Sequence, residues 1–396
     1  MNSLPRPRNT FDVAIVGAGM VGSACALALA RRGLRVALVE EHPPAAWRAT
    51  DDVDLRVVAL APSSVDLLEH LGVWSPIRDA RVCAYRHMRV WDGASGARLA
   101  FDAADSGMSE LGWIVENRLI QHTLWDALQN ENGVVLRCPA RVVGTGDEGD
   151  TRTLQLDDGG RVVARLVVAA DGAGSPLRRL LDIGASGHAY DQHALVAHVR
   201  TQRPHEDTAW QRFLPGGTLA FLPLADGRCS IVWSLPPADC ARLREMAEAD
   251  FLRELGCAFD FRLGPVESTS ARAAFPLRLL LADRYVAPRF ALIGDAAHVV
   301  HPLAGQGVNL GLRDVAALVE VAAGDSGRDP GGVTALRRYE RRRRSDNTIS
   351  AWGMDGINRL FRSEVEPLVL ARGLGLRVVD ALGPLKHLFV RHAAGR

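Results

Sequence analysis

The stretch "VAIVGAGMVGSACALALA", residues 13–30, decides the fold. An apolar run ends at Val16, glycines follow at Gly17, Gly19 and Gly22, and small residues continue at helical spacing. Hydropathy alone would read these residues as a signal peptide or a membrane helix behind Arg6 and Arg8. The glycines speak against both, because each weakens a helix and each has a task in another reading. In that reading a strand spans 12–16, a helix 21–32 and a second strand 35–40, a β-α-β unit that implies a parallel sheet. Gly17 permits the tight turn, Gly19 lets a pyrophosphate approach the backbone, and Gly22 lets helix and strand pack closely. The helix N-terminus turns free N–H groups and its positive dipole end toward the phosphates. Glu40, at the end of the second strand, stands where a carboxylate binds ribose hydroxyls, with Glu41 the weaker candidate. This motif identifies an ADP moiety and does not choose between NAD and FAD.

The 396 residues suffice for two or three domains with substantial cores. A net charge of +1 gives no global attraction to nucleic acid or to an anionic surface. Basic charge is carried almost wholly by arginine, and Lys386 is the only lysine. Six cysteines without a C-x-x-C pair read as reduced, cytoplasmic thiols used as small core residues.

Farther along, helices are expected near 63–71 and 119–129, with a hairpin around "DGASG". Residues 134–168 read as β-rich. Ser175 is expected to cap a helix that opens with Pro176. Alternating strands dominate 188–235, a charged helix spans 238–255, a buried strand 289–294 and a helix 308–322. "GTGDEGD" and "GDSGRDPGG" read as surface loops. The expected fold class is α/β. A Rossmann-like nucleotide domain is assembled from residues 1–80, 105–183 and 285–335. An antiparallel-sheet substrate domain is inserted as a hairpin at 81–104 and a sheet at 184–284, and helices follow over 336–396.

Two later motifs choose the nucleotide. "VVAADGAGSPLRRLL" ends a strand at Asp171-Gly172 and leads into a helix carrying Arg178. "ALIGDAAHVVHPLAGQGVNLGLRD" does likewise at Gly294-Asp295. Together with "GAGMVG" and "DLRVVAL", they resemble the single-component aromatic hydroxylases that use FAD, over nearly the whole chain. "RVVALAPSSVDLLEHLGVW", "GWIVENRLIQHTLW", "WQRFLP" and "HPLAGQGVNLGLRD" narrow the resemblance to the ubiquinone-biosynthesis hydroxylases. "YRHMRVWD", "FDAAD" and "WGMD" are similar to the branch acting on the 3-demethoxyubiquinol intermediate.

The resemblance implies roles. Asp295 would accept hydrogen bonds from the ribitol chain. Pro302, Gly305, Gln306, Gly307 and Asn309 would lie along the flavin ring. The helix after them would aim its N-terminus at the ring edge that becomes negative on reduction. Arg56 and Arg118 would contact the cofactor, Arg56 near the phosphates. Asp171, Gly172 and Arg178 would secure the cofactor-side loop and the nicotinamide donor. His301 and Pro302 are the catalytic candidates, and His298 is expected to hold the turn by a structural hydrogen bond. The implied reaction is hydroxylation of a polyprenylated phenol or quinol by O₂, with NAD(P)H reducing FAD. Trp210, Phe213, Phe221 and Trp233 lie on strands of the substrate roof, where core packing is the plain reading of each.

Rival readings weigh less. Asp295, His298 and His301 form D-x-x-H-x-x-H, the residue set of an iron site, but a metal gives the glycine turn no purpose. No metal is expected. A flavin halogenase needs a lysine near the ring, and Lys386 lies in the C-terminal tail. An NAD dehydrogenase leaves the second and third motifs unexplained. A hydroxylase of another small aromatic, an isoprenoid reductase and a non-catalytic flavoprotein share the motifs and differ in turnover. The last 30 residues carry leucines at helical spacing among arginines. They are expected either to lie on the inner membrane or a biosynthetic-complex subunit, or to pack on the flavin domain.

Overall fold

The strand Thr10–Val16, the helix Met20–Ala30 and the strand Val36–Val39 form the β-α-β unit of a computed structural model that describes residues 10–324 and 329–395. Arg6, Arg8, Arg396 and part of the loop expected at 324–332 lie outside the described residues. Thr10–Val16 pairs in parallel with Val36–Val39 on one side and Arg161–Ala169 on the other. Phe290–Leu292 continues the parallel set. All four strands are apolar because they are buried in one core with the helices Met20–Ala30, Asn117–Gln129 and Gly307–Ala323. The register aligns Val39, Val16, Ala169 and Leu292 in one row across it. The next residues along each strand are therefore neighbours in space: Glu40, Gly17, the 170–172 turn and the 293–295 turn. Three motifs separated by well over a hundred residues meet at the carboxyl edge, where open parallel sheets bind ligands.

A second, mostly antiparallel sheet is built on the 17-residue strand Ala185–Thr201. Cys229–Leu235 and Ala273–Ala282 flank it. The hairpin His87–Asp92 and Arg98–Asp102 joins the far end, parallel to Thr208–Leu214. Strand alternation sorts its faces. Leu195, Ala197, Phe221, Ile231 and Trp233 pack against Phe251 and Leu255 of the helix Glu248–Ala258 and Phe259 at its end. Tyr190, Ala194 and Val196 point the other way and meet Val300, Leu310 and Ala351. The tryptophans and phenylalanines singled out from the sequence are core residues. Phe221 stacks on Phe259 at 3.7 Å, Trp210 meets Trp91 edge-on, and Phe213 stacks on Phe361 at 3.8 Å.

The charged helix expected over 238–255 is two helices, Pro237–Glu245 and Glu248–Ala258. Arg272 donates to the carbonyls of Leu243 and Met246 and so satisfies the end of the first. All six cysteines are free, and Cys25, Cys83, Cys229 and Cys240 are buried. The 30-residue helix Val333–Arg362 leads into Glu366–Ala381 and Gly383–Ala394. No helix among the described residues is long and apolar enough to cross a membrane.

Candidate active site

At the first turn the three glycines answer to different neighbours. Gly17 has φ +103°, and a Cβ there would stand 2.4 Å from the Ala170 carbonyl oxygen. A Cβ on Gly22 would stand 1.9 Å from the Gly17 carbonyl oxygen. Around Gly19 a Cβ would meet nothing within 4 Å. Two glycines are thus required by the protein's own backbone, while the middle one borders open space at the start of the helix Met20–Ala30, where no side chain caps the N–H groups. The Glu40 carboxylate accepts from the Ala18 N–H at 2.5 Å, so it stands at the turn where a ribose is expected.

At the second turn Asp171 accepts from Ser175 Oγ at 2.5 Å and from the Leu177 N–H at 3.1 Å. Ser175 Oγ accepts from the Arg178 N–H, the cap expected from "SP". Burial pushes the Asp171 carboxyl above the ordinary carboxylate range. The buried Arg178 guanidinium donates to the Ala296 carbonyl at 2.7 Å and to the Ala173 carbonyl at 3.1 Å, bracing the second turn against the third. Gly172 has φ +79° and open space at its Cβ position.

The third turn is held from behind. Asp314, fully buried on the helix Gly307–Ala323, accepts from the Gly294 N–H at 3.0 Å. Its carboxylate also bonds His298 Nε2 at 2.6 Å, Arg343 Nε at 2.8 Å and Asn347 Nδ2 at 3.1 Å. Burial pushes Asp314 up, but the facing His298 and Arg343 outweigh it and hold the carboxyl below its ordinary range. Tyr339 Oη donates to the Leu292 carbonyl from the same long helix as Arg343. His298 thus has the structural bond expected of it. His301 takes a different partner, lying edge-on to Tyr190 at 4.8 Å, so the two histidines do not converge with Asp295 on a metal. Among the described residues only Cys83, His205 and Asp207 bring three potential ligand atoms within 4.8 Å, and both His205 ring nitrogens are already hydrogen-bonded.

Asp295 itself is exposed, yet protein crowds it closely enough to raise its carboxyl, against the downward pull of His298, Arg56 and Arg278. Arg56 lies over the Phe275 ring at 5.3 Å and Arg118 is 3.8 Å from Asp51. The Asn309 side chain is held from four sides. Its Oδ1 accepts from the Ala61 N–H and Ser64 Oγ, and its Nδ2 donates to the Ala59 and Gly305 carbonyls. Every hydrogen-bonding position of this buried side-chain amide is taken, so the side chain positions the turn. Gly305 has φ +61° beside Ala59, and Gly307 borders open space at a second uncapped helix start. Open space above Gly19, Gly172 and Gly307, two helix N-termini and one recessed carboxylate fit a long dinucleotide with a flat ring at its far end.

The match to the family described as "FAD binding domain" covers residues 10–348. The 3-demethoxyubiquinol 3-hydroxylase of Escherichia coli (strain K12) is 40% identical, over 97% of this chain and 98% of that protein. Ubiquinone hydroxylase UbiL of Rhodospirillum rubrum is 39% identical, over 97% and 89%. This chain belongs to that family of FAD-dependent hydroxylases. The fold is shared with p-nitrophenol 4-monooxygenase PnpA of Pseudomonas putida DLL-E4, with a TM-score of 0.77 at 19% identity over 96% and 97% of the two chains. In this flavoprotein monooxygenase the inward face of the second sheet packs, through Tyr190, Ala194 and Val196, against Val300 and Leu310 of the third motif.

Sequence reasoning missed several residues of this hydroxylase. Asp314, Arg343 and Asn347 hold the third turn, and Ser64 anchors Asn309. A signal existed: Asp314 sits in the buried stripe of an otherwise apolar helix, where an acid requires partners. His198 was also passed over. It shares the inward face with Val196, is 1% exposed with neither ring nitrogen hydrogen-bonded, and burial pulls it down to about 4.

Proposed function

We propose that this hydroxylase adds an oxygen atom from O₂ to the ring of a polyprenylated phenol or quinol in ubiquinone biosynthesis, with NAD(P)H as electron donor. The observation that carries it is the single row of strand ends that brings Gly17, Glu40, Asp171 and Gly294 together under an apolar sheet face. Full-length likeness to ubiquinone hydroxylases supports the substrate class.

Bound FAD supplies reduction by the nicotinamide and activation of oxygen. The chain's residues do the rest. The helix start after Gly19 binds the pyrophosphate and Glu40 the ribose, while Arg56 and Arg118 add positive charge. Asp295 accepts from the ribitol hydroxyls, and Gly172 with Arg178 shapes the loop beside it. Pro302, Gly305, Gln306 and Gly307 would hold the ring, and the helix start at Gly307 would favour the negative charge it gains on reduction. His301 is the group for the substrate. Burial, aided by Arg362, pulls it down to about 4, so it is neutral at pH 7. Both its ring nitrogens lack partners, leaving one to accept a hydrogen bond from a ring hydroxyl. Lys386 is engaged with Asp380 at 2.7 Å on the C-terminal helices, which leaves the halogenase reading without its lysine. The protein works in the cytoplasm at the inner membrane, alone or with biosynthetic-complex subunits.

Purified protein is expected to be yellow with bound FAD. Asp295→Ala should weaken FAD binding by about 1–3 kcal/mol. NAD(P)H oxidation should be slow alone and accelerate with a prenylated quinol, with label from ¹⁸O₂ in the ring. Label from water, or a colourless protein that takes up no FAD, would overturn the proposal.

A further inference from the structure

Twelve of the sixteen exposed large apolar side chains among the described residues lie between Ile349 and Phe389. The helix Glu366–Ala381 shows why. Its inner face is firmly built. Arg372, 4% exposed, donates to both Asp92 carboxylate oxygens at 2.9 and 3.2 Å and to the carbonyls of Leu360 and Ser363. Leu376 packs in one cluster with Phe213, Phe361 and Leu303, the last from the turn that precedes Gly305. The outer face is also apolar. Leu370, Leu374 and Val378 follow at intervals of four, Leu370 73% and Leu374 64% exposed, with Ala371, Gly375 and Ala381 between them. Arg377 stands at the rim of this row, and Asp380 beyond it on the same side is tied to Lys386 and the Ala100 N–H. A helix apolar all round is a buried helix, so its outer half needs a cover.

We infer that this cover is the surface of an anionic bilayer and that the helix Glu366–Ala381, with Leu388 and Phe389 of the next helix, docks the protein on it. This rests on the proposed function, in which the substrate's polyprenyl tail resides in the bilayer. Two features select a membrane over a second copy of the chain. Arg377 and Arg391 border the apolar row without an ion pair among the described residues, the arrangement in which stems lie on acyl chains and guanidinium groups meet lipid phosphates. The helix also backs onto the site: Leu376 on one face and Leu303 beside the ring-binding turn pack against the same cluster of Phe213 and Phe361, and the opposite face is the bare one.

The inner face corrects a simpler test. Deleting the chain from residue 367 would strand the buried Asp92 without Arg372, so loss of flavin would follow whatever the outer face does. Substitution of the outer face avoids this. FAD-loaded protein is floated with vesicles of phosphatidylcholine containing about 30% phosphatidylglycerol, and compared with Leu370→Glu/Leu374→Glu. The unaltered protein should float with the vesicles. The variant's floating fraction should fall about tenfold, with FAD content and melting temperature unchanged. Hydroxylation of a short-tailed soluble quinol should be unaffected, and that of a long-tailed quinol held in vesicles should fall. Should the double variant lose FAD, Leu370→Glu alone carries the comparison. The inference is overturned if the unaltered protein stays in solution or the variants float equally well. It is also overturned if the unaltered protein is a dimer that Leu370→Glu converts to a monomer, since a second copy then covers the face. Floating without hydroxylation of any prenylated ring would instead sink the proposed function and leave the docking face standing.

Discussion

At the first turn, Gly17 and Gly22 are confined by backbone atoms of Gly17 and Ala170, so the shape of the turn is set within one β-α-β unit and the strand beside it. At the third, the Gly294 N–H is held by Asp314 twenty residues on, and Asp314 by Arg343 and Asn347 on the long helix Val333–Arg362. The first turn is steric and local. The third is electrostatic and long-range, and Arg178 ties it to the second as well. A steric turn tolerates no added atom, whereas an electrostatic one tolerates no lost partner.

Removing a partner is expected to have the largest effect. Arg343→Leu leaves Asp314 fully buried with its charge poorly matched, and should cost about 3–5 kcal/mol in denaturant unfolding of the FAD-loaded protein. A cost below about 1 kcal/mol would show that the third turn stands without the network, and the contrast would collapse. Adding an atom comes next: Gly22→Ala should cost about 3 kcal/mol, read in the same unfolding experiment, because the new methyl meets a backbone carbonyl that cannot yield.

Acid should separate the two plans further. His198 and His301 are held near 4 by burial, below the ordinary histidine value. Between that value and about 6.5 the unfolded chain takes protons that the folded one refuses. Stability is therefore whole above about 6.5 and falls as pH drops toward 4, by up to about 3 kcal/mol for each histidine. Asp314 has the opposite sign: its lowered carboxyl stabilises the fold above the ordinary carboxylate range, and that contribution persists until pH falls through its own lower value. Melting curves of His301→Phe should lose part of the slope between pH 6.5 and 4. An unchanged slope would assign the acid sensitivity elsewhere. The smallest effect on stability is expected at Gly19→Ala, within about 0.5 kcal/mol, because a methyl there meets no protein atom. FAD affinity should nonetheless fall about tenfold, since the proposed function puts the pyrophosphate in that open space. If FAD binds Gly19→Ala undiminished, that space serves something else.

Much of this was legible along the chain because it depends on neighbours in sequence. Spacing of glycines after an apolar run determined the β-α-β unit, and Ser175-Pro176 determined a helix start that the structure caps through Arg178. Asp295 and Gly305 could be named from the third motif because turn and strand end are adjacent. What lay hidden depends on contacts between distant segments. Nothing near Asn309 in sequence shows that its side chain is held by Ala59, Ala61 and Ser64, some 250 residues earlier. The aromatic residues of the second sheet could not be sorted between core and site until the register of Ala185–Thr201 set which face each strand presents. Likewise the leucines of the last helices read as one amphipathic stripe, and only the buried Arg372–Asp92 pair decides which half faces inward. A local pattern determines which element forms, through backbone freedom and hydrophobic period. Only the folded chain decides which side of that element meets protein and which is left for a ligand or a membrane, because burial of each face is settled by segments far away in sequence.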